Sequence, residues 1–169
     1  MDEPTNVTAQ DHAEVPIPPP LIYLAALGLG AGIHYLIWPL PLTLPDIGSI
    51  AGERLRTGLG ILLVVIGVIG SGFTASRFKL IGDSPSPTKP TSAIITTGPY
   101  RISRNPLYLF VALVYLGIGL SLGSLWIIIM FIPLIYLVQR LAIIPEEQYL
   151  ESKFGDQYLD YKAEVRRWI

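Results

Sequence analysis

Apolar and polar positions fall in long blocks along this chain. Leu21 to Trp38 is nearly uncharged, and about 20 residues suffice for a helix to cross a hydrocarbon core. Three prolines between Pro39 and Glu53 end that run, and Leu55 to Ala75 supplies a second apolar stretch. From Ser76 to Asn105 the chain turns polar, and Asp83-Ser84-Pro85-Ser86-Pro87-Thr88-Lys89-Pro90 is too rich in proline for helix or interior strand. Pro106 to Leu122 and Leu125 to Ile144 are the third and fourth apolar runs; Gly123-Ser124 between them predicts an antiparallel helical hairpin. The pattern predicts an all-α integral membrane protein of four transmembrane helices with short amphipathic helices at its C-terminal end.

Finer signals refine that outline. Residues 1–20 are acidic and proline-rich with no lysine or arginine, the wrong start for a secretory signal peptide, and are expected to form a mobile cytoplasmic tail. Asn6-Val7-Thr8 fits a glycosylation pattern that is common by chance. Gly28-Leu29-Gly30-Ala31-Gly32 has no preceding strand and lacks the full dinucleotide-binding spacing, so it reads as a small-residue helix contact, as do the pairs Gly67/Ser71 and Gly117/Ser121. Pro133 is expected to kink the fourth span by freeing the carbonyl of Ile129. Past Pro145, Glu146-Glu147 opens a short helix, Gly155 breaks it, and Asp156 is placed to cap another. In that last helix Tyr158, Tyr161, Val165 and Trp168 form an apolar face suited to the bilayer surface. Residues 21–75 thus hold the first two spans, and residues 76–169 a core of loop, hairpin and C-terminal helices.

Composition sharpens the class. Of the 169 residues 51% are hydrophobic and 15% charged, well below the roughly 25% charge of a soluble domain. A net charge of −1 gives no basic field for nucleic acid. With no cysteine and two histidines, thiol chemistry is excluded and no metal site is expected. His34, in the far part of the first span, reads as a neutral, hydrogen-bonded histidine rather than a functional one. Arg77, Lys79, Lys89, Arg101 and Arg104 lie between spans two and three, and Arg140, Lys153, Lys162, Arg166 and Arg167 toward the C-terminal end. Only Arg54 and Arg56 fall near the opposite face, so the positive-inside rule puts both termini and the long loop in the cytoplasm.

Chemistry concentrates in Thr97-Gly98-Pro99-Tyr100-Arg101-Ile102-Ser103-Arg104-Asn105-Pro106-Leu107-Tyr108, where turn formers, arginines and tyrosines sit between hydrophobic runs. Asn105 is a good helix N-cap and proline is favoured at the first helical position. Arg101 and Arg104 also suit contact with anionic lipid. Together with Pro145-Glu146-Glu147-Gln148-Tyr149-Leu150, Phe154-Gly155, Tyr158, Tyr161, Val165 and Arg167-Trp168, this stretch resembles the isoprenylcysteine carboxyl methyltransferase-like and phospholipid methyltransferase-like family of integral membrane methyltransferases.

The resemblance, over about residues 91–169, implies S-adenosylmethionine as cofactor and a lipophilic, membrane-embedded methyl acceptor: the carboxylate of a prenylated cysteine or another small lipid. It carries cofactor binding to the backbone around Ser92, Ala93, Ile94 and Ile95, to Tyr100, to Asn105, Pro106, Leu107 and Tyr108, and to Glu146. Arg140 is its candidate substrate-binding arginine and, with Glu147, makes up the catalytic assignment. Asn105 stands where histidine is common in the family, and Phe110 where glycine often stands. Two other readings keep the membrane fold: a reductase using NADPH, which would need several cations for the cofactor's phosphates, and a non-catalytic scaffold.

Overall fold

A computed structural model describes residues 12–43, 49–80, 82, 84 and 91–169. The Asn6-Val7-Thr8 pattern and most of the proline-rich stretch after Asp83 lie outside them. Among the described residues there are six α-helices and no named β-strand. They are α1 (Pro19–Gly32), α2 (Ser49–Leu80), α3 (Pro106–Leu122), α4 (Leu125–Val138), α5 (Ile144–Phe154) and α6 (Asp156–Glu164). A π turn, Ile33–Ile37, prolongs α1, and a second, Gln139–Ile143, joins α4 to α5.

Among the described residues three helical runs are long and apolar enough to cross a membrane: Pro19–Ile37, Ile50–Leu80 and Leu125–Phe154. The fourth expected span, α3, has the predicted bounds but only 17 residues, about 26 Å at the usual rise per residue. α2 outruns its prediction at both ends, because hydropathy discounts Glu53 and Arg54 before the apolar run and Arg77 and Lys79 after it.

Close backbone approach holds α2 on α3. A Cβ added to Gly117 would lie 2.6 Å from the carbonyl oxygen of Gly60, and one added to Gly67 2.6 Å from that of Phe110. The expectation for the first span is only partly met: Gly30 lies against the backbone of Ile127, whereas Gly28 and Gly32 face open space. α1 packs on α4, and the core joins Ile22 and Tyr23 to Tyr108, Ala112, Tyr115, Ile127, Leu134, Val138, Ala142 and Ile143.

The hairpin turn is built as predicted. Gly123 takes the left-handed conformation, φ +64°, that a side chain would resist, and the Ser124 side chain caps α4 by accepting from the Ile127 N–H. Arg56 reaches across from α2 to the carbonyls of Leu120 and Ser121, a cation on the negative end of α3. At this same end His34 is buried and its Nδ1 accepts from the Leu40 N–H at 3.3 Å, as a neutral imidazole does.

Three local expectations are corrected. The last span does not stop before Pro145 but runs on into α5. Pro145 has no N–H to give, and in the π turn just before it the Ile144 N–H reaches back to the carbonyl of Gln139. Asp156 is the first residue of α6 with no side-chain cap, the N-cap being Gly155. The apolar face of α6 does not lie on the bilayer surface, since Tyr158 and Tyr161 are buried within the protein.

Candidate active site

A cavity opens at the end of the molecule where α3 begins. The end of α2, the loop before α3, the first turn of α3, and α5 and α6 surround it. Together with the solvent at its mouth it holds about 860 Å³ of empty space.

One wall comes from the turn entering α3. Gly98, at φ +64°, starts a short 3-10 turn, Gly98–Arg101, that buries Tyr100 with its ring edge-on to Phe78. Asn105 and Pro106 start α3 as the sequence predicts, but the Asn105 side chain makes no cap. Its Nδ2 donates instead to the carbonyl of Arg167 at 3.2 Å and to Oε1 of Glu147 at 3.4 Å. Helix geometry sets the next residue, Tyr108, three positions on: its hydroxyl donates to Oε1 of Glu146, and its backbone carbonyl accepts from the Tyr23 hydroxyl at 3.1 Å.

The facing wall comes from α5, α6 and the residues after them. Glu147 is buried and saturated. Arg167 donates from Nε to both its carboxylate oxygens at 3.1 Å and from Nη2 to Oε2 at 2.6 Å, while Nη2 of Arg104 sits 3.2 Å from Oε1. The hydrogen bonds to Glu147 raise the Arg167 pKa further. Arg104 also donates to the carbonyl of Lys162, and the Ser103 hydroxyl donates to that of Arg167. The loop before α3 and the C-terminal residues are thereby pinned to each other.

Tyr158 and Tyr161 complete the lining, the Tyr161 hydroxyl donating to the carbonyl of Tyr100 at 2.7 Å. Burial raises the pKa of Tyr100, Tyr158 and Tyr161, so their hydroxyls remain protonated donors.

Of the residues picked out in the sequence, Ala93, Ile94, Ile95, Tyr100, Asn105, Leu107, Tyr108, Glu146 and Glu147 line this cavity. Ser92 and Pro106 adjoin it without lining it. Arg140 lies outside it, exposed in the π turn, with its guanidinium 5.6 Å from the Tyr136 ring centre. Phe110 points away from the cavity: its ring occupies the space that Gly70 leaves on α2, so this departure from the family pattern is absorbed by helix packing. Sequence reasoning gave no lining role to Ala13, Phe78, Arg104 or the two α6 tyrosines, and did not pair Arg167 with Glu147. Arg104, Tyr158, Tyr161 and Arg167 stood among the residues that carry the resemblance, but the spacing of the two tyrosines fits a protein-facing stripe as well as a membrane-facing one.

Comparison with known proteins decides the family. A family model described as phospholipid methyltransferase matches residues 55–157, well over half of the chain. The chain belongs to that family. An uncharacterized protein of Haemophilus influenzae is 43% identical over 63 residues, which are 37% of this chain and the whole of that protein. No solved structure matches. As a member of the phospholipid methyltransferase family the protein is an integral membrane methyltransferase, and the family implies S-adenosylmethionine as methyl donor. The lining fits such a donor. Tyrosine faces suit a sulfonium, Glu146 suits an amine or ribose hydroxyls, and Nε of Arg104 is buried without a hydrogen-bond partner among the described residues.

Proposed function

We propose that this cavity binds S-adenosylmethionine and that the protein transfers its methyl group to a lipophilic acceptor entering from the bilayer. The observation that carries the reading is the pairing of Tyr108 with Glu146 inside a tyrosine-lined cavity. The donor supplies an electrophilic methyl on a sulfonium, whose positive charge is lost as the methyl leaves. Tyr108 fixes the direction of the Glu146 carboxylate, so that it receives an amine or hydroxyl without reorganising. Tyr100, Tyr158 and Tyr161 exclude water and hold the reactants at attack distance, an effect worth roughly 7–11 kcal/mol when donor and acceptor are well oriented. Glu147, saturated by Arg104, Arg167 and Asn105, is a positioning residue: it joins the two walls and does not act on substrate.

The balance of charge favours a lipid amine over a carboxylate as acceptor. Arg104 is the cation among the described lining residues, and it is paired with Glu147, whereas Glu146 has no cation partner in the hydrogen bonds and ion pairs around it. A carboxylate entering here would find no unpaired cation among the described lining residues. The same shortage argues against NADPH, whose phosphates call for several aimed cations. We read α3 as a fourth span, since it lies along α2, and the cavity as cytoplasmic by the positive-inside rule.

Calorimetric titration of detergent-purified protein tests the site. S-adenosylhomocysteine binds and NADPH does not; Glu146→Ala abolishes that binding, and Tyr108→Phe weakens it about tenfold by leaving the carboxylate unpaired. Binding of NADPH alone would move the protein to the reductases. Labelled methyl transfer in vesicles then compares an amine-headed phospholipid with a prenylated cysteine, and label on the carboxylate would overturn the choice of acceptor.

A further inference from the structure

One side of the cavity is closed by chain that the family match does not reach. The match begins at residue 55, yet Ala13 is 2% exposed and lines the cavity with the residues above. The segment before α1 was expected to be part of a free tail. Over residues 12–15 it is instead a packed edge, with Ala13 buried, His12 and Val15 half-buried and Glu14 exposed, and the exposed residues 16–18 lead from it into α1. Val15 packs on the core that contains Tyr108, and its N–H closes a tight turn onto the carbonyl of Ala13 at 3.0 Å. Pro16, Pro18, Pro19 and Pro20 stiffen the approach, with Pro18 near polyproline geometry at φ −53°, ψ 124°, so little chain entropy is lost in holding the segment down. Beside this wall His12 buries its Nδ1 without a partner.

Resting on the reading of the cavity as the methyl-transfer site, we propose that His12–Pro18 is a working wall of that site, with Ala13 limiting on its side the size of what the cavity admits. Alanine is the smallest side chain that still closes the wall with a Cβ. A larger residue there would fill space meant for ligand, and loss of the segment would leave the cavity open.

The absence of cysteine from the chain permits a direct test. Ala93→Cys puts a single thiol on the cavity lining, and its rate of reaction with a maleimide reads access whether or not any ligand binds. Two further changes in that background unseat the wall: deletion of residues 12–17, and the milder Val15→Ser, which serves if the deletion fails to fold. The reaction is expected to quicken at least about fivefold in either, as the population of open cavity rises, and to slow with Ala13→Trp. Rates within about twofold of one another in all folded variants would overturn the proposal. Protection of the thiol by S-adenosylhomocysteine in the full chain is a separate readout. If the wall variants change access but that ligand gives no protection, the wall stands and the donor-site reading falls.

Discussion

Glu146 and Glu147 are adjacent and chemically alike, yet they do different things because consecutive helical side chains point about 100° apart. Glu147 turns into Arg104 and Arg167, and Glu146 turns to Tyr108 and the cavity. Removing Glu147 leaves the largely buried Arg104 facing Arg167 with no carboxylate between them. Glu147→Ala is therefore expected to cost about 3 kcal/mol of stability, read as a fall in thermal midpoint in detergent, while Glu147→Gln, which keeps the acceptor oxygen, costs less. Glu146→Gln should leave that midpoint nearly unchanged and remove ligand binding, because no ion pair among the described residues depends on Glu146. Equal loss of stability in Glu147→Ala and Glu146→Gln would contradict this division. The sequence makes the pair conspicuous, but it cannot say which member faces the cavity, since that depends on where the π turn leaves the helix face. For the same reason Arg167, twenty residues away, could not be matched to its partner.

At the level of elements, apolar blocks located the runs that contain α1, α3 and α4, and the turn signals Gly123 and Ser124 set the end of α3 and the start of α4. They failed where a helix continues through polar sequence, at both ends of α2 and through Pro145, because backbone hydrogen bonding keeps a helix going after hydropathy ends. The π turn at Gln139–Ile143 adds one residue to the helix, and the added residue rotates all of α5 relative to α4. Deleting Leu141 should close the turn to a regular helix that keeps the Glu pair on nearly the same face, because the about 100° lost with the residue offsets the underwinding of the π turn. The expected result is a folded, membrane-inserted protein that still binds S-adenosylhomocysteine; loss of binding in such a protein would show that the turn itself, beyond its residue count, aims Glu146. The α2–α3 contact carries a second element-scale prediction. Gly70→Val collides with the Phe110 ring and destabilises, Phe110→Ala alone leaves a void, and the two together recover about 1 kcal/mol or more relative to the sum of the single changes. Additive losses in that cycle would mean the ring is not seated on Gly70.

For the whole molecule, the cavity has no home element. The end of α2, the loop before α3, the start of α3, α5, α6 and the segment before α1 each bring one side of it, and only the loop, α3 and α5 portions were evident in the sequence as motifs. The rest became visible once the helices were set side by side, because residues that converge at one end of a bundle are scattered along the chain. That arrangement has a bearing on the membrane itself. α3 is about 26 Å long against about 48 Å for α2, and it carries the cavity at its first turn. With a hydrocarbon core near 30 Å, the bilayer beside α3 must thin or the cavity mouth must sink below the level of the head groups. Methylation in vesicles of defined acyl length should therefore be fastest in short-chain lipid and fall as the bilayer thickens, with S-adenosylhomocysteine affinity unchanged. On that account the short helix that carries the cavity is a gauge of membrane thickness, and the lipids around the enzyme help decide how fast it works.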